Sequence, residues 1–169
     1  MTRQTGKLAT GCGVMALALF AGSASARESL GVFGGWGAFA DAREGRCYAI
    51  SQGQPDPRAR ERQPYMTVAT WPRADVRGQV FWQLARTPLP SQPVTAQAAG
   101  KSFRLRAEGA RVWAQDAAMD AAIRAAMRTA QTLTVFYRDS RGRRFYDRYR
   151  LAGAPTALDA ATLACAGRR

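Results

Sequence analysis

The sequence predicts a mainly β protein: an antiparallel β-sandwich or barrel-like domain of about six to eight strands with two short α-helices. Three observations predict it. Short runs rich in aromatic and β-branched residues recur along the chain, each bounded by Gly, Pro, Asp or Ser. The last two such runs alternate with period two on either side of a turn signal, "DSRG". Only two stretches carry apolar residues at helical spacing. No internal repeat or long low-complexity segment divides the chain, so residues 27–169 are expected to form a single domain.

The strand candidates are "CYAIS", "YMTVATW", "GQVFWQLA", "SFRLRA", "QTLTVFYRD" and "RRFYDRYRL". In the last pair, Leu133, Val135 and Tyr137 alternate with Thr132, Thr134 and Phe136. Phe145, Tyr149 and Leu151 then share one face, with Arg148 and Arg150 on the other. Gly142 in the intervening "DSRG" can take a positive φ, which makes this a hairpin. Two proline-rich stretches, "SQGQPDPRARERQP" (51–64) and "RTPLPSQPVTAQAAG" (86–100), read as surface loops, because proline cannot sit inside a central strand.

The first helix candidate, "DAAMDAAIRAAMRT", starts at Asp116, a good N-cap. Met119, Ala122, Ile123, Ala126 and Met127 form one stripe; a membrane or partner surface is the alternative use of it, but a stripe this narrow suits the core. Asp120, Arg124 and Arg128 fall opposite, with Asp120 placed as a solvated i, i+4 partner of Arg124. The second helix candidate is "TALDAATLACA". Thr156 and Asp159 have the spacing of a capping box, and Leu158, Ala161 and Cys165 share a face that turns Cys165 inward.

Residues 1–26 read as a secretory signal peptide. A basic start (Arg3, Lys7) precedes the mostly apolar "LATGCGVMALALFAG", and Ala24-Ser25-Ala26 gives small-x-small cleavage. The apolar run is too short for a transmembrane helix. Gly11-Cys12 suggests a lipidation site, but most of the hydrophobic core, Val14 to Phe20, follows that cysteine, so Cys12 is expected to leave with the signal. Export places the domain in the periplasm or outside the cell, where two remaining cysteines pair. The disulfide expected is Cys47–Cys165.

The formal net charge of +13 is almost all arginine, since Lys7 and Lys101 are the only lysines. Arg-rich, Ala-rich usage without asparagine is what a GC-rich genome produces, yet such a charge still attracts polyanions. For an exported chain these are acidic polysaccharide or anionic lipid headgroups more than nucleic acid. The sharpest basic segment is "RGRRFYDRYR". With Arg138 just before it, it offers Arg138, Arg141, Arg143, Arg144, Arg148 and Arg150 as anion-binding candidates, interleaved with Phe145, Tyr146 and Tyr149. A strand with an aromatic inner face and a charged outer face accounts for the same alternation.

Catalytic signatures are missing. The chain contains no histidine, and Lys101 is the one lysine left after cleavage, so no side-chain base is placed to activate a Ser, Thr or Cys nucleophile. No Cys/Asp/Glu spacing resembles a zinc or calcium site, and Asp116 and Asp120 have ordinary helix roles. No catalytic residue, metal or cofactor is expected. A hydrolase remains an alternative only through an unseen carboxylate pair about 5–10 Å apart.

The order of motifs resembles the invasion-associated locus B family of bacterial exported proteins. The resemblance rests on "CYAIS", "PYMTVATWP", an F-R-L strand leading to "VWAQD", "MDAAIRAAM", and "LTVFYRDSRGRRFYDRYRLAGAPTALDAATLAC". It covers residues 36–165. Thr129 and Ala130 stand where many members have a glycine, and longer members carry further cysteines. The resemblance implies a β-rich periplasmic or secreted domain with no catalytic residue or cofactor to carry over. The function expected is therefore a non-enzymatic envelope or surface protein acting through envelope proteins or anionic surface polymers. A polyanion-binding module using the arginine hairpin is the alternative.

Overall fold

Period-two alternation places one apolar face of nearly every strand inside a single curled antiparallel sheet. The computed structural model describes residues 27–59 and 61–167 together with residues 1 and 2, so the expected signal segment lies outside the described residues from residue 3 on. Among the described residues there are eleven strands: β1 (Glu28–Phe33), β2 (Trp36–Asp41), β3 (Arg46–Gln52), β4 (Gln54–Pro55), β5 (Tyr65–Trp71), β6 (Val76–Gln83), β7 (Val94–Ala98), β8 (Lys101–Glu108), β9 (Arg111–Trp113), β10 (Thr132–Arg138) and β11 (Arg144–Arg150). Two helices, α1 (Ala117–Thr129) and α2 (Ala154–Ala166), complete the fold. The class is mainly β with two helices, as expected, but with more strands than six to eight.

The strand order is β1-β2-β3-β5-β6-β9-β8-β7-β10-β11-β4. β8 turns the sheet, pairing with β7 through Lys101–Leu105 and with β9 through Arg106–Glu108. β4, last in the order, follows β3, third in the order, after Gly53 alone, so the backbone itself ties distant parts of the sheet. Trp36 makes a second tie, its indole Nε1 donating to the Arg150 carbonyl at 2.9 Å. The concave side holds the core, where Trp36, Trp82, Met66, Leu84, Ile123 and Tyr149 are essentially inaccessible.

Several expectations need correction. The stretch 86–100 is not all loop: its second half is β7, paired with both β8 and β10. Its prolines stop at Pro93, one residue before the strand, so none interrupts a ladder. α2 does not use the Thr156/Asp159 capping box. It begins at Ala154, with Gly153 as N-cap and Pro155 in the first turn, where a missing N–H costs nothing. A Cβ at Gly153 would overlap the Phe33 carbonyl, and the residue has φ +85°, so only glycine lets the helix start against the β1–β2 turn. Asp159 is free to pair with Arg128 of α1 instead.

Asp120 is also not solvated. β9 ends at Trp113, opposite Phe81, which leaves the Val80 amide without a strand partner on that side. Asp120 Oδ1 accepts that amide at 2.8 Å, and burial raises the carboxyl pKa above its ordinary value. Asp116 caps α1 as expected, accepting from the Met119 amide at 2.7 Å.

Candidate functional site

The disulfide is present. Cys47 and Cys165 are bonded with Cα atoms 5.8 Å apart, across a sequence separation of 118. Cys47 leaves the concave face of β3, and α2 presents Cys165 to it; Ala40 and Ala161 bury the pair. This is a structural bridge, closed off from solvent on both sides.

The hairpin of β10 and β11 is built around Asp139. Its Oδ1 accepts from the amides of Arg141 at 3.0 Å and Arg143 at 2.9 Å, and its Oδ2 takes the Arg143 guanidinium at 2.7 Å. Burial pushes the Asp139 carboxyl up, but Arg143 and the two turn amides outweigh it and hold the pKa below the usual carboxylate value. Gly142 closes the turn with φ +76°. Arg138 donates to the Gly142 carbonyl at 2.6 Å. Two of the six candidate arginines are therefore engaged in the turn, and Arg141 is exposed at its tip.

The other three, Arg144, Arg148 and Arg150, leave the outer face of β11. Sequence reasoning placed Tyr146 among them but missed Phe136 as an exposed neighbour. Phe136 is 39% exposed on β10, directly opposite Tyr146, whose ring also lies under the Arg148 guanidinium at 5.3 Å. Across β7, Thr95 connects Phe136 to Arg104 of β8. Among the described residues no carboxylate occupies an outward position of β7, β10 or β11. The result is a cationic, acid-free face with an apolar ring at its middle. The signal was available as period-two alternation in "SFRLRA" and "QTLTVFYRD", but the pairing of these runs through β7 was hidden inside the expected loop.

Beneath that face the cations have a structural use. Phe145 is buried, and the guanidiniums of Arg58, Arg86 and Arg143 lie 5.2, 4.9 and 5.5 Å from its ring centroid. Each is matched by an acid: Asp56 at 2.6 Å, Glu61, and Asp139 at 2.7 Å. Deeper still, Asp147 is fully buried, accepting from the Ala85 amide at 3.0 Å and from the Tyr137 hydroxyl at 3.3 Å. Burial raises its pKa to about 6.

A half-open groove of about 680 Å³ lies beyond β8, between Trp113, the start of α1 and the beginning of β6. It contains carboxylates, and each has a partner. Asp75 pairs with Arg77 and Glu108 with Arg111, Asp116 caps α1, and Asp120 holds the Val80 amide. The described residues contain no group of three or more His, Cys, Asp or Glu side chains that could hold a metal ion. No described helix is long and apolar enough to cross a membrane. No protein family, curated protein or solved structure matches the chain.

Proposed function

We propose that this chain is an exported, non-catalytic binding domain that holds an anionic surface polymer against the outer face of β7, β8, β10 and β11. The observation that carries the reading is the outer face of β7, β10 and β11, which among the described residues bears no carboxylate. Arg144 and Arg148 flank Tyr146, the cross-strand partner of the exposed Phe136, with Arg104 of β8 beyond Thr95 and Arg150 farther along β11. Charge-assisted contacts from guanidiniums suit carboxylate, sulfate and phosphate groups, and an apolar ring among them adds short-range contact that salt does not screen. The signal-peptide reading of residues 1–26 and the resemblance to the invasion-associated locus B family support the exported setting, the periplasm or the cell exterior. Envelope proteins with acidic surfaces fit the same face.

The test is retention on immobilised heparin and lipopolysaccharide across a salt series. Wild-type protein should stay bound above about 0.15 M salt, where diffuse surface charge is screened within roughly 8 Å. The triple variant Arg144→Gln, Arg148→Gln, Arg150→Gln should elute early, with a salt slope reduced by about one for each arginine replaced. A triple variant that elutes with the wild type would overturn the reading.

A further inference from the structure

Register joins the arginine face to a second set of rings. Arg104 and Arg106 are alternate residues of β8, so both side chains leave the same surface. On one side of this pair the cross-strand row is Arg104, Thr95, Phe136, Tyr146. On the other it is Arg106, Trp113, Phe81. The Trp113 and Phe81 ring centroids are 5.8 Å apart, and Tyr65 lies 6.0 Å beyond Phe81. All three rings are half-buried, with their remaining area on the convex side. A continuous stripe therefore runs aromatic, cationic, aromatic around the sheet, and the groove at Trp113 opens beside it. Among the described residues neither Arg104 nor Arg106 forms an ion pair.

We propose that this stripe binds an acidic polysaccharide whose anionic groups are spaced along a hydroxyl-rich chain; the inference rests on the anionic-polymer reading above and narrows it. Sugar rings present C–H faces that pack on aromatic side chains, and their hydroxyls bond to amides, carboxylates and guanidiniums alike. The groove supplies that mixture in Gln79, Gln115, Asp116 and Arg77, with Arg106 at its rim. Arg104 and Arg106 take the anionic group between the two aromatic stretches. A nucleic acid carries a phosphate on every unit and would set phosphates against Asp116 and Glu108. Neighbouring rings, tilted 65° and 48° to each other, also leave no parallel slot for a base between them. Spaced charges separated by neutral hydroxyls fit both the arginines and the acids.

The experiment is titration calorimetry of the chain with a hyaluronan oligosaccharide, which has a carboxylate on alternate sugars, against dextran and oligothymidylate of similar length. Hyaluronan should bind tightest. Trp113→Ala should weaken it by about tenfold while leaving oligothymidylate unchanged, and Trp113→Phe should restore most of the loss. Arg104→Gln with Arg106→Gln should weaken hyaluronan without exposing the core, which covers the case that Trp113→Ala fails to fold. Oligothymidylate binding as tight as hyaluronan, or a Trp113→Ala loss equal for both, would overturn the glycan assignment and leave the anionic-polymer reading standing. Dextran binding as tight as hyaluronan would remove the arginines from the site. Binding to none of the three, together with early elution from heparin, would overturn both readings.

Discussion

Asp147 shows how one inward position on a charged strand sets the pH response of the domain. It sits between Tyr146 and Arg148, which face outward, so alternation turns it into the core. There it meets the Tyr137 hydroxyl and the Ala85 amide, while the buried Tyr149 hydroxyl finds no partner among the described residues. Its folded pKa, about 6, lies above the ordinary value of 3.8, so the folded state binds the proton more tightly than the unfolded chain. Its contribution to stability is therefore fully present below about pH 4 and is lost as pH rises through 6, a change of about 3 kcal/mol. Asp120 is shifted in the same direction. Asp41, Asp56, Asp139 and Asp159 are shifted down, so the stability they contribute is fully present above their ordinary range and is lost only as pH falls below it. Asp147→Asn keeps an acceptor for the Ala85 amide and removes the titration. Urea unfolding between about pH 4 and 7 should show wild-type stability falling with pH and a much flatter profile for the variant; equal slopes would refute the assignment. Nothing in "FYDRYR" but its period-two position marks this aspartate as buried, which is why sequence reading passed over it.

At the scale of elements, what the sequence made legible follows from how local each signal is. The β10–β11 hairpin, the Asp116 cap and the inward face of α2 each depend on residues a few positions apart, and all three stand. β1 and β2 escaped notice because a glycine interrupts each run and Gly34-Gly35 separates them, and β9 because it is three residues long. β7 lay behind a row of prolines, and its strand character comes from two neighbours far along the chain. Long-range partners likewise decided Asp120 and Asp159, whose local spacings suggested other roles. The cysteines are the exception, since an expected export and an even count of remaining cysteines predicted a contact spanning 118 residues. That bridge anchors α2 to β3 over the concave face. Replacing both cysteines with alanine should cost up to about 5 kcal/mol by loop entropy, a large share of a domain's total stability. Oxidised and reduced protein compared by urea unfolding gives the same quantity. A difference below about 1 kcal/mol would mean that the core holds α2 without the bridge.

For the whole molecule the decisive property is the separation of its charges by use. Arginines that crowd Phe145 are matched by Asp56, Glu61 and Asp139, and Arg128 is matched by Asp159, so these four pairs cancel and the formal net charge of +13 rests on the other cations. The remaining cations of the hairpin concentrate on one convex face. Self-repulsion of such a charge destabilises the compact state at low salt, and any polyanion relieves it to some degree. Specific binding adds a second effect: a ligand that binds only the folded state stabilises it by about 2.7 kcal/mol at a hundred times its dissociation constant. Thermal unfolding can separate the two. At low salt, simple salt and an anionic oligosaccharide should both raise the midpoint. At about 0.15 M salt the oligosaccharide should still raise it, and simple salt should add little more. The Arg144→Gln, Arg148→Gln, Arg150→Gln variant should gain from salt less than the wild type and lose the oligosaccharide shift. If the variant kept that shift in full, Arg144, Arg148 and Arg150 would have no special part in it, and the stabilisation would come from Arg104 and Arg106 or from diffuse charge, which the Arg104→Gln, Arg106→Gln variant separates.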